Sequence, residues 1–276
     1  MGIFTKNTDQ DWKKIGDSDP YFGVLTSEEY KNSSLSEEAR QQFFLTGEKY
    51  AQEVVKNIRE KIVLNFHPHE AVDFGCGVGR ILIPLSKYCD KIYGIDVSDG
   101  MIQETARNCD QMGVTNFEVI KSGGDSIGFD RQVDFIHSFI VFQHIPVKKG
   151  MHLFKELLNH LRDGGVGVVH FTYNQTGSAM HRFVYTLVTN SKIMSSFWNV
   201  AKHRPITYPV FEMNMYDTNE IFRCLQECGC HNLHVKFTNH GNKYLGVLLF
   251  FQKQQGLLSG ISVQQFSEVK KSENSY

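Results

Sequence analysis

The stretch with the clearest chemical potential is Val72-Asp73-Phe74-Gly75-Cys76-Gly77-Val78-Gly79-Arg80. Three alternating glycines let a chain turn sharply and let a ligand approach bare backbone, while a helix starting just after them offers N–H groups with no partner of their own. Twenty-one residues beyond Gly75, the apolar run Lys91-Ile92-Tyr93-Gly94-Ile95 ends at Asp96. A carboxylate there can take both hydroxyls of a ribose. The dinucleotide fingerprint needs G-x-G-x-x-G, but here Arg80 holds the place of the last glycine, which disfavours a nicotinamide cofactor.

These residues need elements to carry them. Residues 1–35 read as an irregular arm. Ser34-Leu35-Ser36-Glu37 offers a capping box, and apolar residues from Phe43 to Ile62 then recur at helical spacing, predicting a helix over about 37–63. From Ala71, short apolar runs alternate with helical patterns. The runs predict strands at 71–74, 91–95, 116–121, 133–138 and 166–172, with helices at 79–88, 100–112 and 148–162 between them. That alternation implies a parallel sheet covered on both faces. A helix at 217–228 and strands at 231–237 and 244–252, joined by Asn239-His240-Gly241-Asn242, predict an antiparallel hairpin closing one edge. The expected fold class is α/β, a doubly wound and mostly parallel seven-stranded sheet. The expected division is an N-terminal arm and helix over 1–65, the main domain over 66–252 with an insertion at 174–216, and a polar, frayed tail over 253–276.

Composition narrows the function classes. The chain's 276 residues include 29 Lys+Arg against 30 Asp+Glu, so it lacks the basic field that drives phosphate-backbone binding, and no nucleic-acid partner is expected. The longest apolar run, Tyr244 to Phe251, is far short of the ~20 residues a membrane span requires. Six scattered cysteines with no signal-peptide pattern predict reduced thiols and a cytoplasmic location. Cys224, Cys228 and Cys230 lie near His231, but C-x3-C-x-C is not a zinc spacing, so no metal is expected.

Through most of residues 71–172 the chain resembles the class I S-adenosylmethionine-dependent methyltransferases. Asp73 to Gly79 looks like the family's first motif, and Asp96 matches the acid that binds the adenosyl ribose. Gly124-Asp125-Ser126 resembles the loop after the third strand. Asp134 to Pro146, with Phe142-Gln143-His144-Ile145-Pro146, resembles the segment around the fourth strand. Leu161-Arg162-Asp163-Gly164-Gly165 resembles the turn before the fifth, and the hairpin resembles the reversed seventh strand. Asp19-Pro20-Tyr21-Phe22-Gly23-Val24 is similar to bacterial small-molecule members.

The resemblance implies a Rossmann-like methyltransferase fold, S-adenosylmethionine as cofactor, and a small or modest-sized acceptor methylated at oxygen or nitrogen. It implies that Gly75, Cys76, Gly77 and Gly79 border the methionine and ribose, with Asp73 near the cofactor's amino end. Asp125 and Ser126 hold adenine, and Val97, Met101 and Phe139 complete the pocket. Tyr21 and Phe22 either cap the sulfonium with aromatic faces or serve as ordinary anchors of the arm. His144, after the fourth strand, is the first candidate for a general base, with an alternative reading as a histidine hydrogen-bonded to backbone in a structural turn. His137 has an alternative reading as a satisfied core residue, and His170 and Tyr173 lie near the end of the fifth strand. The aromatic and Met-rich insertion 174–216 is the expected lid, whose His181, Arg182, Lys192, Lys202, His203 and Arg204 would meet an anionic acceptor. A homodimer through that insertion is an alternative use of its apolar face. Two rival functions remain at this point: a nicotinamide-dependent oxidoreductase, and a non-catalytic scaffold that keeps the cofactor fold.

Overall fold

A computed structural model of the chain describes residues 8–176, 211–241 and 243–254, together with 194, 196, 197 and 200. The helices are α1 (Thr8–Ser18), α2 (Pro20–Val24), α3 (Glu37–Lys61), α4 (Leu82–Leu85), α5 (Asp99–Gln111), α6 (Val147–His160) and α7 (Thr218–Glu227). The strands are β1 (Glu70–Phe74), β2 (Lys91–Asp96), β3 (Phe117–Lys121), β4 (Val133–Ser138), β5 (Leu161–Gln175), β6 (Cys230–His240) and β7 (Tyr244–Lys253). They form one sheet ordered β3-β2-β1-β4-β5-β7-β6. The pairs among β1 to β5 are parallel, while β7 runs antiparallel to both β5 and β6.

Alternation along the strands divides the core. Ala71 and Phe135 join α3 on one face, where Phe43, Ala51, Val54 and Ile58 are buried. Val72, Phe74 and Ile136 face the other side, against Leu153, Phe154 and Leu157 of α6 and Ile221 and Leu225 of α7. Each fully buried Val, Leu, Ile or Phe among them contributes about 1.5–3 kcal/mol relative to exposure. The parallel strands therefore all end on one edge, with β1, β2 and β4 presenting their last residues side by side. Ligands of open α/β sheets bind at such an edge.

Several local expectations change. The arm is helical rather than irregular from Thr8 to Val24. Its order comes from packing against α5: a methyl group on Gly16 would fall 2.1 Å from Ser98 Oγ, and one on Gly100 would fall 2.4 Å from the Gly16 carbonyl. The cap of α3 is Ser36, whose Oγ accepts the Ala39 N–H at 3.2 Å, so the box does not run from Ser34 to Glu37. The helix expected at 79–88 shrinks to α4 and a 3-10 turn at Ser86–Tyr88, because Gly79 takes φ +85° and Pro84 has no N–H to donate. β5 begins at Leu161, where Val133 pairs, and resumes its pairing at Val166 opposite Phe135 after an irregular Arg162-Asp163-Gly164-Gly165 segment. Most of the expected lid, including all six of its basic residues, and the tail from 255 onward lie outside the described residues.

Candidate active site

The glycine loop is built to come close to something. Gly75, Gly77 and Gly79 adopt φ of +74°, +57° and +85°, a region costly for any side chain. Both Gly75 and Cys76 donate backbone N–H to the Ile95 carbonyl, at 2.7 and 3.2 Å, which ties the loop to β2. From α5, Thr105 Oγ1 donates to the Gly77 carbonyl at 2.6 Å and Asn108 Nδ2 to the Val78 carbonyl at 2.9 Å. The loop is thus held from behind, and its front borders an open cleft of about 1060 Å³.

Asp96 ends β2 at the wall of this cleft. Each of its oxygens accepts one backbone N–H, Oδ2 from Gly77 and Oδ1 from Ser98, both at 3.0 Å. Burial raises its pKa to about 6, against the pull of these N–H bonds. Donors from a diol would favour the charged form further.

Asp73 also lines the cleft, but its Oδ1 lies 2.7 Å from His137 Nδ1. His137 Nε2 is in turn 3.2 Å from the Tyr50 hydroxyl, and the imidazole is fully buried. His137 is therefore a satisfied core group that orients Asp73. Arg80 packs beside this chain at 7% exposure. Its Nη1 reaches Thr46 Oγ1 at 3.3 Å, while its buried Nε has no partner among the described residues. An unpaired buried guanidinium N–H is costly. The sequence reading assigned Arg80 no place in the cleft wall, although its position directly after the glycine loop was the available signal.

The arm covers the cleft. Val24 stands over Gly77, such that a methyl group there would fall 2.7 Å from Val24 Cγ2. Trp12 lies 4.7 Å from Phe211, stacked at 26°, and meets His144 edge-on at 5.0 Å. His144 Nδ1 is 2.9 Å from the Glu212 carbonyl, which fixes the proton on Nδ1, and Nε2 is 3.1 Å from Gln143 Nε2. Gln143 is itself oriented by Thr172, whose hydroxyl donates to Oε1 at 2.8 Å. Burial lowers the His144 pKa to about 4. The ring is thus a neutral wall with both nitrogens engaged, and it can take a proton from an acceptor only if the Gln143 amide turns away.

Of the residues expected around the cofactor, Asp73, Gly75, Cys76, Gly77, Asp96, Val97, Met101 and Phe139 line the cleft, as does His144. Asp125, Ser126, Tyr21, Phe22, Gly79 and Tyr173 do not. The Asp125 carboxylate is 98% exposed, 3.7 Å from Lys149 Nζ. The Ser126 hydroxyl points to Glu156 at 2.8 Å. Tyr21 is buried against Phe43 and Phe44, and its hydroxyl sits between Glu104 and Asn108, anchoring α2 to α5. Ser122 and Gly124 stand at the cleft in place of the two loop residues, and Gly23 and Val24 in place of Tyr21. His170, 3.2 Å from His240 and 2.9 Å from Thr238 Oγ1, is fully buried on the same face as His137.

Comparison with known proteins agrees with this geometry. Residues 71–165 match a family model described as a methyltransferase domain. A probable cobalt-precorrin-6B C(15)-methyltransferase (decarboxylating) of Methanocaldococcus jannaschii is 34% identical over 56 residues, covering 20% of this chain and 31% of that protein. A tRNA (guanine(10)-N2)-dimethyltransferase of Methanothermobacter thermautotrophicus is 30% identical over 98 residues, covering 33% of this chain and 29% of that protein. The chain therefore spans about a third of the length of the curated relatives it matches. Among solved structures, the magnesium protoporphyrin IX methyltransferase of Synechocystis with bound S-adenosylmethionine has a TM-score of 0.58 at 14% identity. It covers 92% of this chain and all of that one, a likeness of fold.

Proposed function

We propose that this protein, whose residues 71–165 match a methyltransferase-domain model, transfers a methyl group from S-adenosylmethionine to an oxygen or nitrogen of a small or modest-sized acceptor. The observation that supports this most directly is the glycine loop, whose bare backbone donates to Asp96 at 3.0 Å on the wall of a cleft. Arg80, which also lines this cleft, offers a cation to an anionic group there. The residues present thus suit a ligand with a diol at one point and a carboxylate at another.

When bound, the cofactor supplies a methyl group made electrophilic by its sulfonium. Asp96 would hold the ribose diol and Arg80 the methionine carboxylate, with Asp73, oriented by His137, near the ammonium. Trp12 and Phe211 exclude water, and a dry site strengthens these charge contacts. Displacement in line depends chiefly on alignment, which can contribute several kcal/mol without any proton transfer. His144 serves as a neutral wall that orients the acceptor, which suits a nucleophile that is already neutral or already deprotonated. A cytoplasmic location is consistent with this reading, and no helix among the described residues is long and apolar enough to cross a membrane.

Calorimetric titration with S-adenosylmethionine tests the proposal. Wild-type protein is expected to bind, and Gly77→Val to bind at least about a hundredfold more weakly, since a branched side chain at φ +57° strains the loop and meets Val24. Equal affinity in the two proteins would remove the basis for the proposed function.

A further inference from the structure

The two edges of the sheet are finished differently. β3 ends one side with five residues, and its Glu118 and Lys121 pair with Lys91 and Asp99 at 3.3 and 2.6 Å. Charges on a short strand keep a free edge from pairing with another chain. β6 ends the other side with eleven residues and no proline, and β7 is its one strand partner among the described residues. Such a strand presents a row of outward N–H and C=O groups, which a further extended strand fits. Its single Lys, Arg, Asp or Glu side chain is Lys236, whose Nζ meets Glu53 Oε1 of α3 at 3.0 Å. The edge therefore carries no unpaired charge to repel a neighbour.

Side chains alternate across β6. Leu233, Val235 and Phe237 stand opposite Phe251, Leu249 and Val247 of β7, three buried residues of the core that packs on α7. The row carries that core outward and leaves it unfinished, with Leu233 39% and Phe237 75% exposed. On the other face α3 runs beside the strand, tied at Ile62 to Asn232 and at Glu53 to Lys236. Glu53, Lys56 and Glu60 recur along one face of α3 at i, i+3 and i+7. With Lys236 they give this face two acids and two bases.

We propose that this edge is the interface with a second copy of the chain, β6 pairing antiparallel with β6 about a two-fold axis at Val235. Leu233 of each copy then meets Phe237 of the other, and Val235 meets Val235, so the apolar rows join into one. On the α3 side the acids and bases of one copy meet those of the other, and no front of like charge opposes another. A partner of different sequence would need the same apolar row and the same balance of charge, which a second copy supplies by symmetry. The contact uses up the open edge, and the charged β3 edge offers no other, so assembly stops at two.

Sedimentation velocity of the full chain, with amide hydrogen exchange of residues 230–240, tests this. Wild-type protein is expected to sediment at twice the chain mass at micromolar concentration, with β6 amides that lose protection on dilution. Phe237→Glu sets a carboxylate against Leu233 twice in each dimer and should raise the dimer dissociation constant about a hundredfold or more. Because Phe237 lies largely in solvent in the single chain, the variant should melt as the wild type does. Leu233→Glu strikes the same pairs from the other side and should act alike, which keeps the test open if one variant folds poorly. A wild-type monomer throughout overturns the proposal, whether its β6 amides are open or covered. So does a dimer that both variants leave intact, or one whose β6 amides exchange as fast as in the monomer, because the copies then meet elsewhere.

Discussion

Asp96 carries a charge that the protein alone only half supports. Burial raises its pKa to about 6, even though Gly77 and Ser98 each give it a backbone N–H. The ribose hydroxyls are donors, so they bind the carboxylate and not the acid, and binding must lower this pKa. The sign follows: affinity is fully present above about pH 6 and is lost as pH falls through it, when a proton competes with the diol. The dissociation constant should be flat from about pH 7 to 8 and rise by up to about tenfold per pH unit below pH 6. Titration of the wild type at a series of pH values checks this, and a constant affinity down to pH 5 would mean that Asp96 does not hold the ribose. Asp96 and the glycine loop were legible in the sequence because their chemistry is local, a turn and an acid each at the end of its own strand. Asp9, Trp12 and Lys149 were not, because they reach the cleft only through packing. Asp9 and Lys149 are separated by 140 positions, and nothing in the spacing of either predicts the other. Asp125 was read into the site from the pattern of its loop, yet the turn at Gly124 leaves its side chain in solvent.

At the scale of elements, the loop depends on α3. Gly47 lies mid-helix, and a methyl group there would fall 2.0 Å from the Arg80 carbonyl and 2.9 Å from its carbonyl carbon. Helix propensity alone says that Gly47→Ala should stabilise by about 1 kcal/mol. The overlap is with backbone, which no rotamer change relieves, and overpacking of this kind costs about 1–3 kcal/mol. The clash should win, giving a net loss of about 1–2 kcal/mol in urea denaturation, together with weaker cofactor binding as Arg80 is displaced. A gain in stability would show that α3 can move off the loop at no cost. The length of α3, the five parallel strands and the closing hairpin were legible because hydrophobic period and turn residues agree over long stretches. The short helices were not. α1 is held by a tertiary contact between two glycines, Gly16 and Gly100, and the late start of α4 fits Pro84, which cannot donate an N–H to the Arg80 carbonyl and whose effect the apolar run around it masked.

At the scale of the whole molecule, the cover and the sheet share one core. Ile15, Tyr21 and Phe22 of the arm belong to the same buried cluster as Phe43 of α3, Ala71 of β1 and Phe135 of β4. The cleft is therefore lined at once by α1, the glycine loop and the residue that follows β4, through Trp12, Gly77 and Phe139. Unfolding of any of these removes the site, so binding energy adds to the stability of the folded body as a unit. At a ligand concentration about a hundredfold above the dissociation constant, this linkage amounts to about 2.7 kcal/mol. For a domain of this size, each kcal/mol moves Tm by about 2–4 °C, so S-adenosylhomocysteine should raise Tm by about 5–10 °C in a thermal melt. NADH at the same concentration should leave it unchanged, because Arg80 stands where a pyrophosphate would need a glycine. The same melt followed by amide hydrogen exchange separates the cover from the sheet. If α1 and α2 close on the ligand, their amides gain protection together with those of the glycine loop. Protection confined to the loop and β2 would mean that the arm packs on the sheet without sensing what lies beneath it.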